Sequence, residues 1–130
     1  MKLLLDTHTF IWFAYDSPDL PSKTKEALED EETELLLSIA SVWEMAIKAS
    51  NGKLTLPARA GDFAANQIQK DDINLLAITL PHLNQVEALP FHHKDPFDRL
   101  LIAQSLVESL PIVSIDAAFD TYGIKRIWLT

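Results

Sequence analysis

Two runs of three leucines, at residues 3–5 and 35–37, constrain most strongly what this chain can fold into. Neither run alternates with polar residues, and such a pattern is typical of a strand that is buried on both faces, as in a parallel sheet. Further apolar segments at residues 73–78, 112–115 and 126–129 bring the number of predicted strands to five. A sheet of this kind needs helices on both of its faces.

Helical segments lie between these strands. We predict helices at residues 9–15, 21–31, 38–50, 63–70, 81–89 and 95–109, and a short helical turn at 117–123. In the helix at 38–50, the apolar residues that recur at helical spacing are Ile39, Val42, Trp43, Ala46 and Ile47. In the helix at 95–109, the residues expected on the buried side are Leu100, Leu101, Ala103, Leu106 and Val107. Strands that alternate with helices predict an α/β fold, a three-layer sandwich of parallel βα units.

The composition sets limits on the class of protein. A length of 130 residues and a hydrophobic content of 48% predict a single domain, residues 1–130, with one substantial core. The absence of cysteine excludes disulfides, thiolate zinc sites and cysteine nucleophiles, and it fits a reducing cytoplasm. Asp6 and His8 interrupt the first apolar run before it reaches the length of a secretory signal. We therefore expect a cytoplasmic protein without a membrane span.

The net charge is negative. Eleven Lys and Arg residues stand against 19 Asp and Glu residues, which gives −8, and much of the excess lies at residues 26–34, where a solvated helix end is expected. This sign argues against a general coat protein of duplex DNA, because such a protein binds through a basic surface. It does not exclude an enzyme that acts on nucleic acid through bound divalent cations.

Four carboxylates from separate segments are predicted to meet at one edge of the sheet. Asp6 and Asp116 each follow a strand directly, Glu44 lies in the first turns of the helix after the second strand, and Asp98 lies in the first turn of the helix before the fourth strand. In an open α/β sheet, ligands bind at the carboxyl ends of the strands. These four acids are therefore our candidate site residues.

Each carboxylate also has a purely structural interpretation. Asp6 can cap the following helix, and Asp98 lies where an acid is favoured by the helix dipole. Glu44 fits a capping box with Ser41, or an ion pair with Lys48 one turn later. Asp116 can begin a short helical turn. However, four caps that converge would leave like charges together, and a bound cation relieves that repulsion.

Carboxylate oxygens in a chain without cysteine favour a hard ion, Mg²⁺ or Mn²⁺. The chemistry that fits such an ion is hydrolysis of a phosphodiester, because the metal supplies hydroxide and neutralises the charge that develops on phosphorus. The four histidines form no ligand pair at helical spacing. A group of basic residues can form either a local rim for a phosphate backbone or ordinary solvated surface: His92, His93, Lys94 and Arg99.

Four segments resemble the acidic motifs of the PIN domain family, and in particular its ribonuclease toxins of the VapC type. They are LLLDTH at the N-terminus, SxxSxWEMAIK in the middle, DPFDRLLIAQS, and IVSIDAAF. Together they extend over nearly the whole chain. The specificity lies in four motifs in the right order, since a strand followed by Asp-Thr is common.

The resemblance implies a five-stranded parallel sheet of order 3-2-1-4-5 and an endoribonuclease that depends on Mg²⁺ or Mn²⁺. It also implies a homodimer that is neutralised by a cognate antitoxin. Carried over by position, the four acids of the family, which are catalytic and bind the metal, fall on Asp6, Glu44, Asp98 and Asp116.

This sequence departs from the family pattern in modest ways. His8 stands where many members have Asn or Ser, and Asp95 adds a second acid near Asp98, so that the third ligand is ambiguous. Ser114 falls where a small hydroxyl residue precedes the last acid.

Three other classes of protein fit the sequence less well. A phosphoacceptor receiver domain needs an acidic pair after the first strand and an Asp after the third, where this chain has Asp6-Thr7 and Ile78-Thr79. A haloacid-dehalogenase-type phosphatase needs Asp-x-Asp after its first strand, which is also missing. A non-catalytic binding module that kept the fold stays open, although the intact set of four acids argues against it.

For the antitoxin we predict a partly disordered chain that folds on contact and places a basic side chain near Asp6 and Asp98. Aromatic residues of the early helices can line the groove that receives it, and their alternative role is core packing. These residues are Phe10, Trp12, Phe13 and Trp43.

Overall fold

The computed structural model describes residues 1–130 and contains five strands and six α-helices. In chain order they are β1 (Lys2–Leu5), α1 (Thr7–Ala14), α2 (Ser22–Glu29), β2 (Glu34–Ser38), α3 (Ile39–Ser50), α4 (Ala60–Asp71), β3 (Ile73–Leu76), α5 (Leu80–Ala88), α6 (Pro96–Glu108), β4 (Ile112–Val113) and β5 (Arg126–Ile127). A 3₁₀ helix, Ala117–Tyr122, lies between β4 and β5. No helix has the length and apolar character needed to cross a membrane.

The five strands form one parallel sheet of order β3-β2-β1-β4-β5, which confirms the order 3-2-1-4-5. β1 is central and pairs with β2 on one side and with β4 on the other; Leu4 lies opposite both Leu36 and Ile112. The first acidic motif and the last are therefore neighbours, although most of the chain separates them in sequence.

The leucine runs are buried on both faces, as the absence of alternation predicts. Leu3 and Leu5 face a core formed with α1, α2, α3 and α4, whereas Leu4 faces a second core formed mainly with α6. Side chains of successive strand residues point to opposite faces, so a strand between two helical layers must be apolar at every position. The predicted three-layer sandwich is confirmed.

Strand ends are the part of the fold that the sequence predicts least well. β4 has only two residues, and the carbonyl group of the second, Val113, accepts hydrogen bonds from Asp6 N–H (3.1 Å) and from the Thr9 hydroxyl (2.9 Å). Beyond this point the Ser114 side chain turns towards Asp6. β3 ends at Leu76 and β5 at Ile127, so both are also shorter than predicted.

Two helices present more apolar surface to solvent than their sequences suggest. In α3 the buried residues are Ala40, Ser41, Glu44 and Met45. Its apolar stripe points outward, and the exposed members are Ile39, Trp43 and Ile47. In α6 the expectation that Leu106 and Val107 are buried is wrong, because each is 37% exposed.

Candidate active site

The four candidate carboxylates line one cavity of about 470 Å³ at the carboxyl edge of the sheet. The strand ends and helix starts that the sequence predicted at this edge bring them there. Nine residues form its wall: Asp6, His8, Trp12, Glu44, Lys48, Asp95, Asp98, Ile115 and Asp116. Five of these carry carboxylates, so the cavity is strongly acidic.

Asp6 lies between β1 and α1 and has two roles. Its Oδ1 accepts a hydrogen bond from His8 N–H (2.9 Å) and so caps α1, while its Oδ2 accepts a hydrogen bond from the Ser114 hydroxyl. Burial raises the pKa of Asp6 above 3.8, and these two hydrogen bonds act in the opposite direction. The capping interpretation is therefore confirmed, and the same carboxylate also lines the cavity.

Glu44 points inward from α3. Its Oε1 accepts a hydrogen bond from the Thr7 hydroxyl (2.7 Å), and its Oε2 lies 2.7 Å from Lys48 Nζ. The predicted pair with Lys48 is confirmed, and the hydrogen bond from Lys48 to Glu44 raises the pKa of the lysine. The capping box is wrong, since α3 begins at Ile39 with Ser38 as its N-cap. Glu44 is therefore free of any capping role.

Asp95 and Asp98 divide two functions between them. Asp95 Oδ1 accepts hydrogen bonds from Phe97 N–H (2.8 Å) and Asp98 N–H (3.1 Å), so Asp95 is the N-cap of α6. The carboxylate of Asp98 makes no such contact and faces the other acids. Burial, followed by repulsion from Asp95, Asp6, Glu44 and Asp116, raises the pKa of Asp98 to about 7.

Asp116 closes the site from the 3₁₀ helix. Its Oδ1 accepts a hydrogen bond from Ala118 N–H (2.9 Å), and its backbone N–H donates to the Ser114 hydroxyl oxygen (3.0 Å). The same hydroxyl donates to Asp6, so Ser114 connects the acid that follows β1 with the acid that follows β4. Asp116 is the most open of the four, with 46% of its side chain exposed.

His93 joins this cluster, which the sequence analysis did not predict. Its Nδ1 accepts a hydrogen bond from Asp95 N–H (3.2 Å), so in the neutral ring the proton lies on Nε2. That nitrogen is 3.0 Å from Asp98 Oδ2 and 4.0 Å from Asp116 Oδ2. Potential ligand atoms of these three residues all lie within 4.8 Å of one another. The sequence does contain one indication of this position, because His93 lies two residues before Asp95, the N-cap of α6.

Neither interpretation of the basic group, a rim for a phosphate backbone or solvated surface, is correct for Arg99. This side chain is buried, and its guanidinium donates hydrogen bonds to the carbonyl groups of Val86, Leu89 and Pro90 at the end of α5. Arginine offers five donors, and here most of them hold the chain between α5 and α6. Arg99 is therefore a structural cation, and His92 lies at the surface against the ring of Tyr122.

The aromatic groove is also only partly correct. Phe10 is fully buried in the core against Phe63, so it lines no groove. Trp12 is half-buried and lines the acidic cavity, whereas Phe13 is half-buried elsewhere against the core. Trp43 is 55% exposed and packs edge-to-face against Phe97.

Comparison with known proteins identifies the family. The family model described as PIN domain matches residues 3–125, and the chain belongs to this family. No curated protein sequence matches the chain significantly.

Solved structures share the fold at low sequence identity. A chain of VapBC2 from Rickettsia felis, bound to a DNA fragment from their promoter, is 13% identical with a TM-score of 0.73, covering 99% of this chain and 100% of that one. A chain of DNA-bound VapBC from Salmonella typhimurium is 15% identical with a TM-score of 0.66, covering 98% and 97%. A chain of FitAcB from Neisseria gonorrhoeae is 16% identical with a TM-score of 0.65, covering 96% of both. Identities at this level establish the fold and no more.

Proposed function

We propose that this chain is an endoribonuclease that depends on Mg²⁺ or Mn²⁺, and that it is the toxin of a toxin–antitoxin pair. The observation that carries the proposal is the gathering of Asp6, Glu44, Asp98 and Asp116 around one cavity. Without a cation, burial and then repulsion from the neighbouring acids raise the pKa of Asp98 to about 7. A site that is unfavourable when empty of positive charge is typical of a metal centre.

The donor set fits such an ion. Carboxylate oxygens match the preference of Mg²⁺ and Mn²⁺, and the chain has no thiolate that would select zinc. The imidazole of His93 presents a proton on Nε2, so we assign it to holding Asp98 and not to the metal. We assign Asp6, Glu44, Asp98 and Asp116 as the ligands.

When bound, the ion supplies an acidified water and neutralises charge that develops on the phosphodiester. The residues of the chain do the positioning. Ser114 fixes one oxygen of Asp6, Thr7 fixes one oxygen of Glu44, and His93 fixes one oxygen of Asp98. Lys48 is held beside Glu44 at the wall of the cavity and would be placed to pair with a phosphate oxygen of the substrate. No protein nucleophile is needed.

Purified protein should cleave RNA oligonucleotides with Mg²⁺ or Mn²⁺ and stop when the metal is chelated. The same assay with DNA of matching sequence tests the choice of RNA. Cleavage that continues undiminished in EDTA would show that a contaminating or metal-free nuclease is responsible, and would contradict the proposal.

The toxin assignment rests on the resemblance to VapC-type sequences and on the fold shared with chains of VapBC and FitAcB assemblies. An antitoxin that folds on contact would place an Arg or Lys side chain among the carboxylates beside Trp12. Expression of this chain alone in the cytoplasm, where RNA is, should stop the growth of the cells. Co-expression of the neighbouring small reading frame should restore growth. Hydrolysis without a growth effect or a partner would indicate a PIN nuclease of another role.

We also propose that the chain is a homodimer through the outward face of α3. Ile39, Trp43 and Ile47 form an exposed apolar stripe there, and a second copy would cover it. Light scattering should give the mass of two chains for the wild type and of one chain for Trp43→Ser. The control Phe91→Ser, which removes another exposed aromatic ring, should remain a dimer. A monomeric wild type would contradict this arrangement.

A further inference from the structure

A second cavity of about 380 Å³ opens directly beside the acidic one. The two cavities share three residues, His8, Trp12 and Lys48, so a ligand that occupies one can extend into the other. The other residues of the second cavity are Thr7, Ile11, Met45, Lys53 and Leu54.

The two cavities have opposite chemistry. The acidic cavity is lined by five carboxylates, whereas the second is lined by none and contains both Lys48 and Lys53. In a chain of net charge −8, a polyanion that approaches the metal centre is repelled from most directions. The second cavity offers it a local positive charge next to the site where it would be cut.

The turn after α3 places Lys53 in this position. Gly52 adopts a positive φ of 79°, and the chain then folds back so that the N–H groups of Lys53 (2.9 Å) and Leu54 (3.1 Å) donate to the carbonyl of Lys48. Asn51 Oδ1 also accepts a hydrogen bond from Lys53 N–H (3.1 Å). The side chain of Lys53 is exposed and takes part in none of the ion pairs of the structure.

The rest of the cavity is apolar and aromatic. Ile11, Met45 and Leu54 supply aliphatic surface, and Trp12 supplies a half-buried indole ring whose aromatic neighbours are His8 (5.8 Å between ring centroids) and Trp128 (6.1 Å), both at a tilt. Single-stranded RNA is bound by this combination, in which an aromatic side chain stacks on a base and a lysine pairs with a phosphate.

We propose that the second cavity binds a nucleotide of the RNA strand next to the phosphodiester that is cut. Its base packs against Trp12, and a phosphate of the strand pairs with Lys53. This inference rests on the proposed nuclease function and adds to it the position of the substrate on one side of the metal.

RNA affinity tests the assignment in an Asp98→Asn background, in which the substrate is not consumed. Lys53→Glu should weaken the binding of a fluorescent RNA oligonucleotide about tenfold and reduce the dependence of affinity on salt. The matched control is Lys23→Glu, which makes the same change in charge at an exposed lysine of α2, outside both cavities. Equal affinities in the two variants would overturn the proposal.

The aromatic contact has its own readout. RNA should quench the tryptophan fluorescence of the Asp98→Asn protein, and Trp12→Phe should remove most of this quenching while circular dichroism shows an intact fold. Quenching that persists unchanged in Trp12→Phe would mean that the base lies elsewhere, and would contradict the assignment of the base.

A small substrate separates this proposal from the nuclease function itself. Bis(4-nitrophenyl) phosphate with Mn²⁺ needs only the acidic cavity, so Lys53→Glu should reduce kcat/KM for RNA about tenfold more than kcat/KM for the small diester. If the wild type hydrolyses neither substrate, the nuclease function fails. If it hydrolyses both and Lys53→Glu behaves like Lys23→Glu, only the nucleotide site fails. If Lys53→Glu binds RNA normally and binds the antitoxin more weakly, the occupant of the second cavity is a protein segment, and the assignment of a nucleotide there is wrong.

Discussion

Leu5 and Asp6 are adjacent in sequence and nearly equally buried, with 0% and 7% of their surfaces exposed, yet they act in opposite directions. Leu5 lies in the apolar core beneath α1 and α3, and its burial stabilises the fold. Asp6 begins the acidic cavity, where burial disfavours its charge. Burial of Leu5 therefore stabilises the folded state, whereas burial of the Asp6 charge, one residue later, destabilises it.

This contrast shows that the effect of burying a side chain depends on the groups that contact it. Asp6 is tolerated because Ser114 and the backbone of His8 satisfy its oxygens, whereas Asp98 has fewer donors and a pKa near 7. The sheet interior should therefore respond to mutation through stability, and its carboxyl edge should respond through activity.

The largest effect is expected in the interior. Leu4→Ala leaves a cavity beneath α6 and should lower the free energy of unfolding by about 3 kcal/mol. Urea unfolding measures this change, and activity per folded molecule should be retained. A loss of activity without a loss of stability would break the contrast.

At the edge, Asp6→Asn, Glu44→Gln, Asp98→Asn and Asp116→Asn should each reduce RNA hydrolysis at least about 100-fold, above the range for groups that only support a metal ligand. Glu26→Gln, an exposed acid of α2, is the control. Circular dichroism should show unchanged secondary structure in all of them. Full activity in any of the four would remove that residue from the ligand set.

Asp98 gives the contrast a dependence on pH. Its pKa in the folded protein is about 7 against 3.8 for the free side chain, so the folded state increasingly opposes its ionisation as pH rises from about 4 to 7. In EDTA, Asp98→Asn should raise Tm by about 5 °C at pH 8 and by less at pH 5. Asp19→Asn, an exposed acid, should show no such difference. An equal gain at both pH values would exclude ionisation as the cause.

His93 lies beside the acidic cavity and His92 at the surface, so the two adjacent histidines allow a matched comparison. Gln keeps a donor near the position of Nε2, so His93→Gln should retain most activity, whereas His93→Leu should lose about tenfold and bind Mn²⁺ more weakly by calorimetry. His92→Leu, at the surface, is the matched control. Identical behaviour of the two Leu variants would remove His93 from the site.

Asp95→Asn should have the smallest effect. Asn caps a helix about as well as Asp, so we expect a change in stability below about 0.5 kcal/mol and modest changes in rate. If Asp95→Asn abolishes hydrolysis and Asp98→Asn does not, the assignment of the third ligand is reversed.

Much of this architecture follows from local sequence patterns. The unalternating leucines predict a sheet covered on both faces, and the strand order and the meeting of the four acids follow from the resemblance and from the parallel topology. The covered sheet depends on periodicity, which a sequence displays directly, whereas the strand order was implied only by the resemblance.

The features that were missed depend on partners distant in sequence. Nothing near Arg99 indicates that carbonyl groups at the end of α5 will bury it, and nothing near Phe10 indicates its contact with Phe63. The outward stripe of α3 was ambiguous for a related reason. A helix with apolar residues on one side and Glu44 on the other is expected to bury its apolar side. Here α3 instead turns Glu44 into the acidic cavity, and its apolar stripe faces outward.

The hydrogen bond between Ser114 and Asp6 joins residues 108 positions apart. Because β4 enters the sheet beside β1, a chain interrupted before β4 has neither Ser114 nor Asp116, and its first strand lacks one neighbour. The acidic cavity is thus incomplete in partial products of synthesis and in fragments. The proposed hydrolysis therefore requires that segments distant in sequence have come together in the sheet, so an incompletely synthesised chain would be inactive.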